Sequence, residues 1–332
     1  MIRIPRSYMA ALAIAAGSFV LQPAVVQAQA AGYPSQPVTF IVPYAAGGSS
    51  DTRSRQLAQR MGEILGTTVV VENKPGASGN IGTNMVARAK PDGYTIGLGN
   101  FAPMAVNKSL YGDTLAFDPK TDIQPIALIE RGAMVLAVNA KVPYKTAPDL
   151  VNYAKAHPDQ LNYASTGAGG ASHLVSELFK NNAGFEATHV PYRGGAPAVN
   201  DLIGGNVDMY LELASLFIPH LGAGEPRIRA LAVASDQRLK ALPDLPTFKE
   251  LGIDLVASNW FGVIAPAGVS QDIVQKLNEA VNEALNAQEY RDVVESQGAE
   301  VAGGSPEEFR SFINDESERW ASLIKAQNIS VQ

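Results

Sequence analysis

Short apolar runs alternate with stretches in which apolar residues recur every three to four positions. Val38–Val42 is short, apolar and β-branched, the pattern of a buried strand. Leu57, Met61, Ile64 and Leu65 then fall on one helical face, and Gly66 stands where a helix end favours positive φ. A strand is expected over Thr68–Glu72 and a turn at Asn73-Lys74-Pro75-Gly76. A short helix through Ile81, Met85 and Ala89 should follow, then a strand over Tyr94–Leu98. This βαβαβ order predicts a parallel sheet covered by helices.

Residues 126–139 read as one long extended segment, with Glu130-Arg131-Gly132 set inside an apolar run. Those charges suit a strand that leaves one domain and enters another. A second βα series begins at Pro143. Thr146 and Asp149 form a capping box, and strands are expected at Leu161–Ala164, Thr188–Pro191, Val207–Leu211 and Ile228–Ala234. Residues 254–264 form a second long extended segment. Two helices end the chain, one over Asp272–Asn286 and one started by Ser305-Pro306-Glu307-Glu308. The expected architecture is α/β, with two lobes joined by two crossover strands. Lobe 1 is 31–131 plus 257–332, and lobe 2 is 132–256. A cleft between such lobes is a preferred ligand site.

The first thirty residues stand apart. Arg3 and Arg6 precede an apolar stretch from Met9 to Leu21, and Ala28-Gln29-Ala30 has the small-x-small pattern of a signal-peptidase site. The apolar part is too short for a membrane span, so export by a cleavable signal to the periplasm is expected, with cleavage after Ala30 or after Ala28. Removing residues 1–30, which hold two arginines and no acid, takes the net charge from −6 to −8. With no basic run, nucleic acid is not an expected partner. The chain has no cysteine, which excludes disulfides, thiolate metal sites and lipid attachment after the signal. Stability must come from a sizeable core, and 46% hydrophobic residues allow one.

Candidate chemistry concentrates in glycine-rich loops. The first, "VPYAAGGSSD", follows the Val38–Val42 strand. It lacks the lysine of a P-loop and the spacing of a dinucleotide fingerprint, so no cofactor is expected. Gly47, Gly48 and Ser49 instead open a helix, whose free N–H groups suit a small anion. The alternative is a tight turn that only closes the fold. Asp51 should repel an anion, unless it caps the helix, pairs with Arg53 or Arg55, or holds a bridging water. A second loop, "STGAGGASH" (165–173), repeats the design, and its His173 reads as a surface or capping residue. "PGASGNIG" (75–82) and "PYRGGAP" (191–197) follow strands too, and Arg193 offers a charge for a carboxylate. Arg131 borders the expected cleft, with Glu130 beside it. Catalytic motifs are missing: no GxSxG, no HExxH, and histidines 157, 173, 189 and 220 lack metal-ligand spacing.

The blocks "YPSQPVTFIVPYAAGGSSD", "VENKPGASGNIGTNMVARAKPDGYTI", "LNYASTGAGGASHL", "HVPYRGGAPAVNDLIGGNVDM", "ALPDLPTFKELG" and "SNWFGVIAPAGV" come in order. Together they resemble the Bug family of TctC-type extracytoplasmic solute-binding proteins. The resemblance implies a Venus-flytrap fold that holds a carboxylated solute between the two Gly-rich loops. It also implies a large and a small transmembrane subunit as partners, and a monomeric receptor. The first loop corresponds to Tyr44 through Asp51, including Ala46, Gly47, Gly48 and Ser49. The second offers Thr166, Gly167 and Ser172 as donors, with His173 behind them. Three positions depart from the family pattern: Glu212-Leu213 replaces an Asp-Asn pair, Asn100-Phe101-Ala102-Pro103-Met104 replaces a small-residue run, and Arg131 replaces a small or apolar residue. The expectation is that these set the ligand, with Arg131 on a second carboxylate or Phe101 stacked on an aromatic acid. A sensor subunit for a membrane kinase would need the same closed lobe surface, and a periplasmic hydrolase is the enzymatic alternative.

Overall fold

The computed structural model describes residues 32–221, 226–326 and 329–330, and the expected targeting segment lies outside them. The chain opens with β1 (Val38–Val42), α1 (Ser49–Leu65), β2 (Val69–Asn73), α2 (Asn80–Ala87) and β3 (Thr95–Asn100). β1 pairs in parallel with both β2 and β3, as the βαβαβ pattern predicts. A π-helical turn at Ala102–Val106 leads into α3 (Asn107–Tyr111).

β4 (Ile123–Asn139) is the long segment foreseen in the sequence. The next elements are α4 (Ala147–Ala156), β5 (Asn162–Ser165), α5 (Ala171–Ala183), β6 (Thr188–Pro191), α6 (Gly195–Gly204), β7 (Met209–Leu213), α7 (Ala214–Leu221) and β8 (Ile228–Val233). β9 (Ser258–Pro266), α8 (Gln271–Asn286), α9 (Gln288–Ser296), β10 (Ala299–Gly303) and α10 (Pro306–Ala326) complete the chain. The strand order is β2-β1-β3-β9-β4-β7-β5-β6, with β8 and β10 also on β4.

β4 belongs to both halves of this curled sheet. Its residues up to Ala133 pair with β9 and β10, and Met134–Asn139 pair with β7 and β8. The second crossing is different. The chain passes through buried Leu255 and Ala257, held where the Ala257 N–H donates to Ala234 O at 3.0 Å, and only from Ser258 does it form a strand.

The charges inside β4 follow from strand alternation. Glu130 turns inward and forms an ion pair with Arg53 of α1, both side chains being 2% exposed. Arg131 points to the opposite face, so Glu130 does not neutralise it. Gly132 admits Leu213 of β7, whose side chain a Cβ would overlap.

α2 forms where expected, and its apolar side chains Ile81 and Met85 turn outward. Ile81 and Met85 are 51% and 43% exposed, while Gly82, Thr83 and Val86 are buried. A Cβ on Gly82 would lie 2.8 Å from Pro43 Cα, so close approach to the end of β1 decides which side turns in.

The terminal helices return to the first half of the sheet, as expected. Ile273 and Leu277 of α8 pack in one core with Phe40, Leu57 and Met61. Phe309 and Trp320 of α10 pack in another with Phe101 and Trp260. α4 and α10 start with capping boxes, Thr146/Asp149 and Ser305/Glu308. No helix among the described residues is long and apolar enough to cross a membrane.

Candidate ligand-binding site

α1, α5 and α6 start differently. Their N-cap residues are Gly48, Gly170 and Gly194, and none receives a side-chain cap. Each follows a parallel strand of the sheet, so the turns before them gather at the carboxyl ends of β1, β5 and β6. The first N–H groups of a helix have no partner inside it, and the macrodipole makes that end positive.

The first turn is braced from behind by Asp51. Its carboxylate accepts the Gly47 N–H at 2.9 Å and Asn73 Nδ2 at 3.0 Å, and pairs with Arg55 Nε at 3.0 Å. Burial raises this carboxyl, but those hydrogen bonds and the Arg55 charge outweigh burial and hold it below the usual range. Of the pairings foreseen for Asp51, the one with Arg55 forms, while Arg53 is taken by Glu130. Tyr44 is buried beneath the turn and its hydroxyl donates to Asn100 Oδ1 at 2.5 Å.

The second turn is braced by side chains of α5 and β6. Thr166 N–H donates to Ser172 Oγ and Gly169 N–H to His173 Nδ1, each at 3.0 Å. The Gly167 N–H donates to Ser165 Oγ at 3.0 Å, and Ser165 Oγ shares a second hydrogen bond with His189 Nε2 at 2.6 Å. His173 is thus not a surface residue, and its ring nitrogen accepts a backbone N–H just before α5. It is buried, and its ring stacks on that of His189 at 4.1 Å. Burial and the nearby Lys180 push the His173 ring below its ordinary value, against the pull of Glu177. Burial and His173 push His189 down to about 4.

The turns touch across the cleft. The Ala45 N–H donates to Arg193 O at 3.3 Å, and Ser215 Oγ donates to Ser49 Oγ at 3.1 Å. The Ser78 hydroxyl donates to Ala168 O, which also accepts the Tyr111 hydroxyl at 3.2 Å. A Cβ on Gly167 would lie 2.7 Å from Ser78 Oγ. These contacts describe a closed cleft.

Two cavities share Tyr44 and Thr166 as walls. The inner one measures about 20 Å³ and also meets Gly48, Ser49, Asn100 and Glu212. The outer one measures about 410 Å³ and reaches Ser78, Tyr111, Gly167 and Arg193. Ala46 and Gly47 are exposed on the first turn and line neither, with Asp51 behind that turn and Ser172 and His173 behind the second.

Phe101 and Arg131 do not join the others. Phe101 is fully buried against Trp320, with ring centroids 4.9 Å apart and the planes nearly perpendicular, so no face is free for an aromatic ligand. Arg131 lines a separate cavity of about 510 Å³ with Arg319 and Glu300 and lies over the Phe312 ring at 5.1 Å. Residues not singled out in the sequence complete the site: Asn259, Gly195, Ser215 and Tyr111. Asn259 left one trace, a polar residue inside the apolar run "SNWFGVI".

Residues 54–329 match the model of the tripartite tricarboxylate transporter family receptor, TctC. The chain is 37% identical to protein BugT of Bordetella pertussis over 295 residues, 88% of this chain and 90% of that protein. Among solved structures, the periplasmic binding protein BugD is 36% identical with a TM-score of 0.85, covering 90% of this chain and 100% of that one. Rpa4515 of R. palustris, solved with adipate, is 36% identical with a TM-score of 0.86, covering 90% of this chain and 99% of that one. MatC of Rhodopseudomonas palustris, solved with malate, is 31% identical with a TM-score of 0.84, covering 88% and 100%.

Proposed function

This chain belongs to the tripartite tricarboxylate transporter receptor family of TctC-type, or Bug, binding proteins, and on that premise we propose that it captures a small carboxylate in its cleft and delivers it to a tripartite transporter. It is a binding protein and not an enzyme.

The observation that carries this reading is the set of three uncapped helix N-termini around one cleft, from α1 on one side and α5 and α6 on the other. Neutral N–H groups and hydroxyls hold an anion without a fixed cation, which suits a solute that must be released. Ligand contacts to both sides favour the closed form over the open one. The lobes divide within β4 near 131/132 and before β9 near 256/257. The protein acts as an exported periplasmic monomer, and the closed surface is what the large and small transmembrane subunits recognise.

The test is mass spectrometry of the solute released on gentle denaturation of freshly purified protein, followed by calorimetric titration of that solute into wild type and Ser49→Ala. An intact carboxylic acid that binds more weakly to the variant is expected. Release of a chemically altered product, or of no acid with no carboxylate binding, overturns the reading.

A further inference from the structure

A cavity of about 510 Å³ lies at the hinge, apart from the cleft, within the roughly 300–1,000 Å³ of small-molecule sites. The pairing of β4 explains its place. On one edge of β4, β9 meets β7, and Asn259 and Leu213 at that junction line the inner cavity of the cleft. On the other edge, β10 meets the end of β8, and Ala299 and Ala234 at that junction line the hinge cavity. The two spaces therefore sit on opposite edges of one strand. In this closed form they measure about 20 Å³ and about 510 Å³.

The walls of the hinge cavity suit a flat anion. Gly132, Ala133, Ala234, Ala257 and Ala299 give it a surface of small residues. Arg131 also lines it, two residues before Ala133 and so on the same face of β4. The Arg131 guanidinium lies over the Phe312 ring at 5.1 Å. Among the described residues its ionic partner is Glu300 at 3.9 Å, beyond hydrogen-bond distance, so its N–H groups are free to donate. Arg131 is also the less exposed of the two, 43% against 74%. The other ions are engaged or face water. Arg319 donates to Val256 O at 3.0 Å and to Glu316 Oε1 at 3.2 Å, and Asp236 pairs with Lys249 at 2.5 Å. Lys240 and Glu295 are exposed at the rim. Arg131 is thus an anchored fork that fits a carboxylate, and its face away from Phe312 fits an aromatic ring.

We propose that this hinge cavity is a second binding site, for an aromatic carboxylate, and that its occupant holds the cleft closed. The carboxylate pairs with Arg131, and the ring lies on the small residues of the wall. β4 is the pivot between the two spaces, so a rotation that parts β9 from β7 drives β10 towards β8. Opening the cleft therefore removes the hinge cavity. A molecule that binds only where the cavity exists shifts the population to the closed form. The site does not depend on which solute the cleft takes.

The test uses naphthalene-2-carboxylate as the probe, on protein freed of bound solute. Calorimetry should show a binding event in wild type that persists in the cleft variant Ser49→Ala. Arg131→Ala should weaken that event about tenfold or more, the loss of a charge-assisted hydrogen bond, with a thermal melt showing that the variant folds. Small-angle scattering of wild type should show the radius of gyration falling as the probe is added. Ala133→Phe, which fills the cavity with a ring of the protein's own, should lower the radius without any probe and abolish the binding event. No binding to wild type, or binding that Arg131→Ala leaves unchanged, overturns the site. Binding that is lost in Ser49→Ala places the probe in the cleft and overturns it as well. Binding that leaves the radius unchanged overturns the hold on closure. The wild-type measurements need no variant, so a variant that fails to fold leaves the test intact. The carboxylate reading of the cleft stands or falls separately, on the solute released from it.

Discussion

The Asp51 carboxylate accepts the Gly47 N–H at 2.9 Å, closing the first glycine turn on the helix that follows it. With Asn73 and Arg55 also bound to it, the Asp51 charge is used up on the protein side of the turn. This is how a carboxylate stands next to an anion site without repelling the anion. Asp51→Ala should weaken ligand binding at least tenfold and lower stability by about 1–3 kcal/mol, the cost of unpaired buried donors. Calorimetry and denaturant unfolding read the two effects, and unchanged affinity would remove Asp51 from any role in shaping the turn.

Gly167 has φ +124°, and its missing Cβ is what lets Ser78 approach from the other side of the cleft. Gly167→Ala should therefore act mostly on closure. Ligand affinity should fall tenfold or more, while the strained backbone costs on the order of 1–3 kcal/mol of stability. Small-angle scattering with saturating ligand should show a larger radius than wild type; an unchanged radius and affinity would count against closure through this contact.

Arg53 and Glu130 form a buried pair that ties α1 to β4. Arg53 also donates to Gln56 Oε1 at 2.6 Å and Gln297 Oε1 at 2.9 Å, so the pair is hydrogen-bonded on the cationic side. Arg53→Met alone should cost about 3–5 kcal/mol by leaving a buried carboxylate unpaired. Arg53→Met with Glu130→Leu should recover most of that loss. Additive losses in a double-mutant cycle would mean that the two charges do not depend on each other.

His189 titrates at about 4 instead of its ordinary 6.5. The unfolded chain takes up the proton near 6.5 and the native protein does not, so this contribution to stability is fully present above 6.5 and is lost as pH falls towards 4. Glu130 and Glu212 are raised, chiefly by burial, and act with the opposite sign, so the useful quantity is wild type compared with His189→Gln. The variant should lose about one proton from the slope of stability against pH in that window. Coincident slopes would show that His189 is already protonated in the native state.

Much of the fold was legible along the chain because strands and helices announce themselves locally. The five-residue apolar run of β1, the capping boxes at Thr146 and Ser305, and glycine after α1 and α5 all mark element ends through backbone chemistry. β10 escaped notice because "AEVAG" has too little apolar pattern, and its pairing with Leu128–Gly132 is a long-range choice. The buried face of α2 is not visible in the sequence either, because it is Gly82 that fits against Pro43 while Ile81 and Met85 stay exposed.

The site divides in the same way. Sequence alone determined that two strands end in glycine turns opening helices, that no cysteine or catalytic motif accompanies them, and that the chain resembles a family of carboxylate receptors. Those properties reside in residue order, because a glycine N-cap or a missing lysine is visible without neighbours. Tertiary structure decided where the charges go. It turned Arg131 out of the cleft, placed Phe101 in the core, gave Arg53 to Glu130, and left Glu212 as the acid facing the inner cavity. Strand alternation and packing between distant segments set those directions, and neither is written in the spacing of the residues themselves.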